Sequence, residues 1–184
     1  MTVFETPPVA QVDRRPVVGY ATYLVAAFLF ALIHVLVRES GLAKLDIPFL
    51  RDRTASPYLV APDGLYLRDP QSGKPLVWDE LSAAAVPHDT PGAQPAVAGC
   101  HRVGKAFVID ADKERRDYAD VEGKTAYEML SLHIAKYTPE WAEGITGIPA
   151  ATIRRLAHEM GVTARDQKIE LPIAWTDSWG TEHD

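Results

Sequence analysis

The sequence predicts an α/β fold made of several helices, a small antiparallel β-meander and short strands, with α+β as the alternative. Three observations predict it. The stretch Val17–Val37 carries no formal charge, as in a long buried helix. Short apolar runs separated by turn signals fill residues 57–79 and are typical of strands. Capping signals and an apolar stripe in residues 125–164 predict three further helices.

The composition is that of an ordinary globular chain. Its 184 residues are 47% hydrophobic and 24% charged, which allows one core of normal size and argues against a chain disordered throughout. The net charge of −6 argues against a nucleic-acid partner, because such proteins carry a basic surface. The single cysteine, Cys100, excludes an internal disulfide and any zinc ribbon or iron–sulfur cluster held by this chain alone.

The first forty residues predict a leader followed by one helix. Residues 1–16 are polar and rich in proline, and predict a loose leader. A helix is expected over residues 20–39, with Gly41 placed where a C-terminal cap would stand. A helix that is apolar on every side is buried in protein or in lipid. The residues therefore leave a core helix and a membrane span through Val17–Val37 both open.

The next segment predicts a short helix and then strands. Asp46 is a suitable N-terminal cap and Pro48 suits the first turn, so a helical turn is expected over residues 45–50. Two turns, Pro62–Gly64 and Asp69–Lys74, then separate three apolar runs of a small antiparallel meander. The predicted strands are 58–60, 65–68 and 76–78.

The middle of the chain predicts little regular structure. Residues 80–100 are rich in Ala, Pro and Gly and predict a long surface connection. Lys105–Ile109 predicts one short strand. The charged residues 110–123 predict a solvated segment.

Three helices and a strand-like tail are expected after this charged segment. Thr125-x-x-Glu128 is a capping box, and Thr138-Pro139-Glu140 is a helix start with proline in the first position. Ile153, Leu156, Ala157 and Met160 form the apolar stripe of a helix over residues 149–164. The tail predicts strands at 169–171 and 173–175.

One cluster of acids has part of the pattern of a calcium loop. Asp110, Asp112 and Glu114 have the spacing of its first half. Arg115 stands where the loop needs glycine, and Val121 stands where it needs a bidentate glutamate. The pattern therefore favours a solvated charge run over a metal site.

Cysteine and histidine positions are the next candidates for chemistry. Cys100 and His101 could supply a nucleophile or a metal ligand, but neighbouring side chains in a strand point to opposite faces and no third partner is evident. His34 lies in an apolar helix, which favours a core histidine with its hydrogen bonds satisfied. His133 and His158 fall on different helices without metal-ligand spacing.

Two further patterns favour structure over binding. Gly144–Gly147 matches the GxxG of an RNA-clamping loop, but Glu140 and Glu143 beside it have the wrong charge for phosphate. A helix–helix turn is expected there. Trp175 and Trp179 are more typical of core than of a ligand-stacking site. The sequence contains no GxGxxG, GxxxxGK[ST], GxSxG or HExxH, so no catalytic constellation is complete.

One stretch of sequence points to a particular protein family, which composition alone cannot do. Tyr137–Ala157 reads YTPEWAEGITGIPAATIRRLA and resembles a signature of the molybdopterin oxidoreductases, the dimethyl sulfoxide reductase family, where it forms two successive helices. The same family is resembled, in the same order, by Ala31–Val37 leading to Phe49–Thr54 and by Pro57–Trp78. Leu171–Gly180 is similar to members that act on sulfur compounds or related small substrates. The resemblance runs from about Ala27 to the end.

The resemblance implies a fragment of a larger enzyme. Residues 1–26 are then a leader unlike the family, and residues 27–184 are part of its larger α/β fold. Full-length members hold molybdenum with two molybdopterin guanine dinucleotides and often carry an iron–sulfur cluster. None of the segments that hold these groups matches here, so no catalytic, cofactor-binding or metal-ligating residue is carried over. No cofactor is expected for this chain alone.

The resemblance also implies partners and a location. The expected partners are the remainder of the catalytic subunit together with an iron–sulfur electron-transfer subunit, in the cytoplasm. The alternatives are a single-pass domain anchored through Val17–Val37 and a non-catalytic interaction module. A piece cut from a larger fold exposes apolar faces and strand edges, so poor solubility or self-association is expected.

Overall fold

The chain folds as the mixed α/β class predicts. The computed structural model describes residues 15–167, 173–177 and 180–183, and within them the chain forms five α-helices and three small antiparallel sheets. A π-helical turn, Val35–Glu39, continues the first helix, and a 3-10 turn, Leu42–Lys44, follows it. The α-helices are α1 (Arg15–His34), α2 (Ile47–Arg53), α3 (Ala126–Ile134), α4 (Pro139–Thr146) and α5 (Ala150–Asp166).

The strands form one central sheet and two hairpins. The central sheet has the order β1–β5–β4, and all its pairs are antiparallel. The pairs β2–β3 and β6–β7 form the other two sheets of the described residues. The strands are β1 (Leu59–Val60), β2 (Leu76–Asp79), β3 (Ala84–Pro87), β4 (Cys100–Ile109), β5 (Arg115–Thr125), β6 (Trp175–Thr176) and β7 (Glu182–His183).

The first helix is longer than its predicted range of 20–39. It begins at Arg15, so the last two residues of the predicted leader belong to α1, and the rest of that leader lies outside the described residues. Helical backbone then continues to Glu39, and Gly41 adopts a positive φ of 77° just beyond. This confirms the expected end of the helix, because glycine enters that region without steric cost.

Side-chain caps start three of the helices, as the sequence predicts. Asp46 accepts a hydrogen bond from the Phe49 amide at 3.0 Å, Thr125 from Glu128 at 3.1 Å, and Thr138 from Trp141 at 3.2 Å. Each cap satisfies an amide that the first helical turn leaves unpaired. The positions of α2, α3 and α4 are therefore determined locally.

The charge run at residues 110–123 is exposed over most of its length, as predicted, but most of it is also strand β5, which was not predicted. Alternate residues at the end of that strand, Val121, Gly123 and Thr125, are buried, whereas their charged neighbours face solvent. Charges also pair within the hairpin: the Arg102 guanidinium binds Asp120, and Arg115 lies 3.9 Å from the centre of the Phe107 ring. Charged residues on the wet face of a half-buried hairpin are compatible with strand structure.

The expected meander forms only in part. Leu67 donates to the Leu59 carbonyl and Leu76 donates to the Leu67 carbonyl, both at 2.8 Å, so the three runs do lie side by side. The middle run, residues 65–68, pairs through isolated bridges and is not a continuous strand. The connection expected at 80–100 is also more ordered than predicted, since it contains β3 and the buried pair Ala96 and Val97.

The interior consists of two apolar clusters. One lies on the central sheet and its neighbouring segments, and the other joins α1, α4 and α5. Along the sequence, α1 contributes to the helical cluster, the strands of the central sheet follow, and α3 then leads to α4 and α5 of the helical cluster. The sheet cluster consists of Leu59, Ala61, Leu67, Leu76, Val103, Ala106, Val108 and Val121. The helical cluster consists of Ala31, Leu32, Val35, Ala142, Ile153 and Ala157.

The tail is only partly described. The strand expected at 169–171 lies outside the described residues. The strand expected at 173–175 appears later, as β6, paired with β7. Helix α5 ends at Asp166, two residues beyond its expected end.

Candidate functional site

Cys100 and His101 do not form a joint site. The Cys100 side chain is exposed, whereas the His101 ring stacks on Trp78 with centroids 4.6 Å apart and planes 12° from parallel. The Nε2 atom of His101 is buried and has no hydrogen-bond partner among the described residues. Burial lowers the pKa of His101, although a hydrogen bond to the Ala98 carbonyl opposes the shift. A neutral, stacked imidazole is suited to packing.

The other histidines also lie apart. His34 is buried, and its Nδ1 lies 2.9 Å from the Ile134 carbonyl, which confirms the expected core histidine. His133 and His158 are exposed on α3 and α5. Within the described residues no group of three or more His, Cys, Asp or Glu side chains is placed to hold a metal ion. The prediction that this chain has no metal site of its own stays a prediction.

The two loop motifs have structural roles. Asp110 accepts hydrogen bonds from the amides of Asp112 at 3.0 Å and Glu114 at 2.9 Å, and so closes the turn between β4 and β5. In the GxxG stretch, Gly147 takes the left-handed conformation that ends α4. Glu143 then accepts from the amide of Ala150 at 3.1 Å, at the start of α5. The expected helix–helix turn is confirmed.

The expectation of core tryptophans fails for Trp175. This residue lies in β6 and is 48% exposed. The short β6–β7 hairpin offers no layer to cover a large ring. Trp179 lies outside the described residues.

A groove between β5 and α3 was not predicted from the sequence. Its volume is about 470 Å³, which is within the usual range for small-molecule pockets. Pairing of β1 with β5 creates one wall and α3 the other, so residues distant in sequence meet there. Lys124 binds Glu122, two residues before it on β5, at 2.7 Å, so the two charges on this wall are paired. The remaining lining residues are Val60, Ala61, Pro62, Met129, Leu132 and His133.

This groove has the walls of a binding site without the groups of a catalytic one. Its floor is aliphatic, and the ion pair of Lys124 with Glu122 is internal to β5. Nucleophilic catalysis needs a nucleophile with a base in hydrogen-bond reach, and among the described residues no such pair lines the groove. The expectation that this chain supplies no catalytic residue stays a prediction.

The outer side of α1 is a second unpredicted surface. Helix α1 and the turn after it pack on α4 and α5 through Ala31, Leu32 and Val35, whereas exposed apolar side chains occur around its first turns and on the side away from these contacts. Its first turns, Gly19–Val25, are exposed all round. We call the uncovered apolar side chains the α1 patch, which consists of Tyr20, Tyr23, Leu24, Val25, Leu29 and Phe30.

The α1 patch continues into an aromatic cluster on the neighbouring helices. Phe30 stacks on Tyr137 with centroids 4.7 Å apart, and Tyr137 meets Trp141 edge to face at 5.0 Å. His133 lies 5.7 Å from Tyr137. The cluster fixes the base of the patch to α3 and α4, so the patch is a surface of a packed helix rather than of a loose arm.

The membrane question concerns this same helix. Gly19–Glu39 is long and apolar enough to cross a membrane, and 28% of its most apolar window is buried. The end of the segment is bonded to protein: Arg38 donates to Ser131 at 3.2 Å, and both oxygens of Glu39 accept from Arg154 at 2.8 Å. In this fold the second half of the segment is a core helix.

Comparison with known proteins gives an informative relative. The chain is 46% identical over 116 residues to a sulfite dehydrogenase subunit of Allochromatium vinosum. The matched stretch is 63% of this chain and 10% of that subunit, so the chain spans about a tenth of the relative's length. No protein-family model matches the chain.

These comparisons correct the family resemblance inferred from Tyr137–Ala157. Membership of the molybdopterin oxidoreductase family is not supported, because no model of that or any other family matches. The relative bears the name of a sulfite dehydrogenase. The division into residues 1–26 and 27–184 stays a prediction, and its boundary falls inside α1.

Proposed function

We propose that this chain is a structural module of an oxidoreductase that acts on a small sulfur-containing substrate. The observation that carries the proposal is the 46% identity over 116 residues to the sulfite dehydrogenase of Allochromatium vinosum. Because that stretch is a tenth of the relative's length, the module would work together with the rest of a large polypeptide. Fold likeness alone does not give function, so the proposal depends on the named relative.

The surfaces of the chain support a role inside a larger assembly. The α1 patch leaves six large apolar side chains uncovered. The groove between β5 and α3 is open and has an apolar floor. Monomeric proteins rarely leave such patches bare unless a partner covers them. We therefore propose that the reacting groups come from outside this chain and that its helices and sheet support them.

The partners of such a module follow from redox chemistry. Oxidation of a sulfur compound releases electrons, which must pass to an acceptor. We propose an iron–sulfur electron-transfer subunit for that step, since the relative is named as one subunit of an enzyme and Cys100 alone could not hold a cluster in this chain. The cytoplasm is the proposed location. Any cofactor of the full enzyme would be bound by segments other than those described.

A chimera tests this function directly. In the Allochromatium vinosum sulfite dehydrogenase, the matching stretch is replaced by that of this chain, and the chimera is expressed with the enzyme's other subunits. We expect sulfite-dependent reduction of an electron-accepting dye, because the two stretches should fold alike. This chain expressed alone should give no such reduction.

Two comparisons make the chimera decisive. The substitution Val103→Asp places a charge on a side chain only 2% exposed in the sheet cluster, and should abolish both folding and activity of the chimera. A soluble, fully assembled chimera without Val103→Asp that fails to oxidise sulfite, beside an active parent enzyme, would contradict the proposal.

A membrane-anchored domain is the second candidate, and the exposed first turns of α1 favour it. Gly19–Glu39 has the length and apolar character of a span. Alkaline carbonate treatment of membranes from expressing cells distinguishes the two. Retention in the bilayer would support an anchor, and release with the soluble fraction would reject it.

A further inference from the structure

We propose that the groove between β5 and α3 receives an apolar segment from the remainder of the larger subunit to which this chain is proposed to belong. The proposal rests on the proposed function, because it takes this chain as one part of a much longer polypeptide. It starts from the orientation of α3, which places a polar residue inside and apolar residues outside. Ser131 is 7% exposed, whereas Leu130 and Leu132 are 43% and 48% exposed.

The inward position of Ser131 has a structural explanation, and the outward position of the leucines has none in the described residues. The Ser131 hydroxyl accepts a hydrogen bond from the Arg38 guanidinium at 3.2 Å. A surface helix normally turns its apolar stripe to the core. Met129 and Leu132 are three residues apart, so they lie on one side of α3, and both line the groove.

The apolar surface continues across the groove onto the end of β1. Val60, Ala61 and Pro62 line that side together with the charged residues of β5. The Lys124 ammonium lies 2.7 Å from the Glu122 carboxylate, so these two charges are already paired. The groove, of about 470 Å³, is thus an apolar depression that needs no counter-charge from its occupant.

A small molecule fits this groove less well than a protein segment does. Small-molecule sites hold a few polar groups that orient the ligand, whereas here only His133 among the described lining residues could do so beside the paired charges. The apolar surface also extends to Leu130, which does not line the groove. The centres of protein interfaces are poor in charge and enriched in methionine, which is the character of Met129 and its neighbours.

A membrane and a second copy are weaker candidates for the same reasons of energy. Lipid would have to surround the ion pair on the groove wall, and charged groups are costly in hydrocarbon. The stretch shared with the sulfite dehydrogenase subunit is 10% of that subunit, so most of the polypeptide near the groove would belong to the same chain. A tethered segment binds at a high effective concentration, whereas a second copy loses translational and rotational freedom.

Photo-crosslinking in the chimera described above identifies the occupant. The graft includes α3, and p-benzoylphenylalanine is placed at Leu132. After irradiation we expect a crosslink to a peptide outside the graft, in a product that keeps the mass of one polypeptide. A crosslink to another subunit or to a second copy, or the absence of any crosslink, overturns the inference. The crosslink is read without enzyme activity, so it decides the inference even where an assembled chimera that does not oxidise sulfite contradicts the proposed function.

A charge at the same position tests the contact independently. In the isolated chain Leu132→Lys should leave the urea midpoint unchanged, as should the control Leu81→Lys, whose side chain is 66% exposed in the turn after β2. In the chimera Leu132→Lys should lower the yield of assembled subunit roughly tenfold, because the charge would be buried without a partner, and Leu81→Lys should not. Equal yields from the two variants would overturn the inference. So would a loss of stability of the isolated chain in Leu132→Lys alone, since Leu132 would then belong to this chain's own packing.

Discussion

At the scale of single residues, Asp79 shows how one buried carboxylate organises a long connection. Its Oδ2 accepts from the hydroxyl and amide of Ser82 at 2.6 and 3.0 Å, and its Oδ1 accepts from the Gln94 amide at 2.7 Å. These bonds join the two ends of the segment that follows β2. The hydrogen bond from Ser82, followed by that from Gln94, lowers the pKa of Asp79 to about 2.

The substitution Asp79→Asn should make the chain less stable at neutral pH and less sensitive to acid. A folded pKa below the unfolded value stabilises the fold above about pH 4, and this contribution is lost as the pH falls toward 2. Urea unfolding from pH 7 to pH 2 should show the wild-type advantage shrinking below pH 4. A difference in unfolding free energy between wild type and Asp79→Asn that stays constant over this pH range would contradict a stabilising role of the ionised Asp79 carboxylate.

His34 is the second residue with a measurable role. Replacing it by leucine keeps the volume but removes its hydrogen bond with the Ile134 carbonyl, which keeps the bond from the Tyr137 amide at 3.0 Å. We expect a loss of about 1 kcal/mol in the free energy of unfolding, measured in urea. His133→Leu is the control, because that side chain is exposed and should change stability by less than about 0.5 kcal/mol. Equal losses of unfolding free energy in the two variants would show that His34 stabilises the core no more than an exposed histidine does.

At the scale of elements, the β4–β5 hairpin depends on one close approach. Gly123 lies on the buried face of β5, where an added Cβ would stand 2.8 Å from the Cδ1 of Leu67 and 3.5 Å from the Cβ of Leu59. The absence of a side chain there lets the segment at residues 65–68 cross the sheet. Gly104, in the paired strand, has open space in the same position.

The pair Gly123→Ala and Gly104→Ala tests that approach. Gly123→Ala should cost about 1–3 kcal/mol of unfolding free energy, because the crowded methyl group displaces Leu67. Gly104→Ala should be neutral or slightly stabilising, since it meets nothing and limits the unfolded chain. Thermal unfolding of both variants is the measurement. Similar losses of stability in both variants would mean that the strand propensity of alanine and glycine, and not packing against Leu67, determines the change.

Local signals predicted the helices, β1 and the second half of β4, and missed β5. Asp46, Thr125 and Thr138 act within three residues of themselves, so the sequence alone places α2, α3 and α4. The long hairpin was missed because its exposed face is charged, which hides the alternation of Val121 and Gly123. The groove beside α3 depends on pairing between residues 59 and 125, and no local pattern records it.

The first helix shows a different limit of prediction from sequence. Its apolar character is evident in the sequence, but which side is covered depends on where α4 and α5 pack. The sequence therefore predicted a helix buried in protein or in lipid, whereas the structure buries only part of the helix and leaves the α1 patch exposed. Cys100 and His101 differ in this respect, because alternation along a strand predicts that they point apart, and only the stacking of His101 on Trp78 needs the tertiary structure.

At the scale of the whole molecule, net charge and the α1 patch act in opposite directions. The chain carries a net charge of −6, so two copies repel each other at a distance, while the patch itself is uncharged. Salt screens the repulsion and leaves the apolar contact intact. Raising the ionic strength from about 0.01 M to about 0.15 M shortens the screening length from about 30 Å to about 8 Å.

Self-association should therefore strengthen with salt. We expect the weight-average mass of the chain, measured by sedimentation equilibrium, to rise between these two ionic strengths. Leu29→Lys, which places a charge among the exposed apolar side chains of α1, should associate less at both. Association that weakens as salt is added would indicate that ion pairs, and not the α1 patch, hold the copies together.

The pairing of β1 with β5 has a consequence for the order of folding. The helical cluster joins Ala31 to Ile153, so the chain between them must form a very long loop before those contacts form. The hairpin of β4 and β5 closes locally, and its contact with β1 then brings residues 59 and 125 together. Completing the sheet first more than halves the remaining loop, which lowers its closure cost by about 0.6 kcal/mol or more. We expect the sheet to form in the transition state and the helices to dock afterwards.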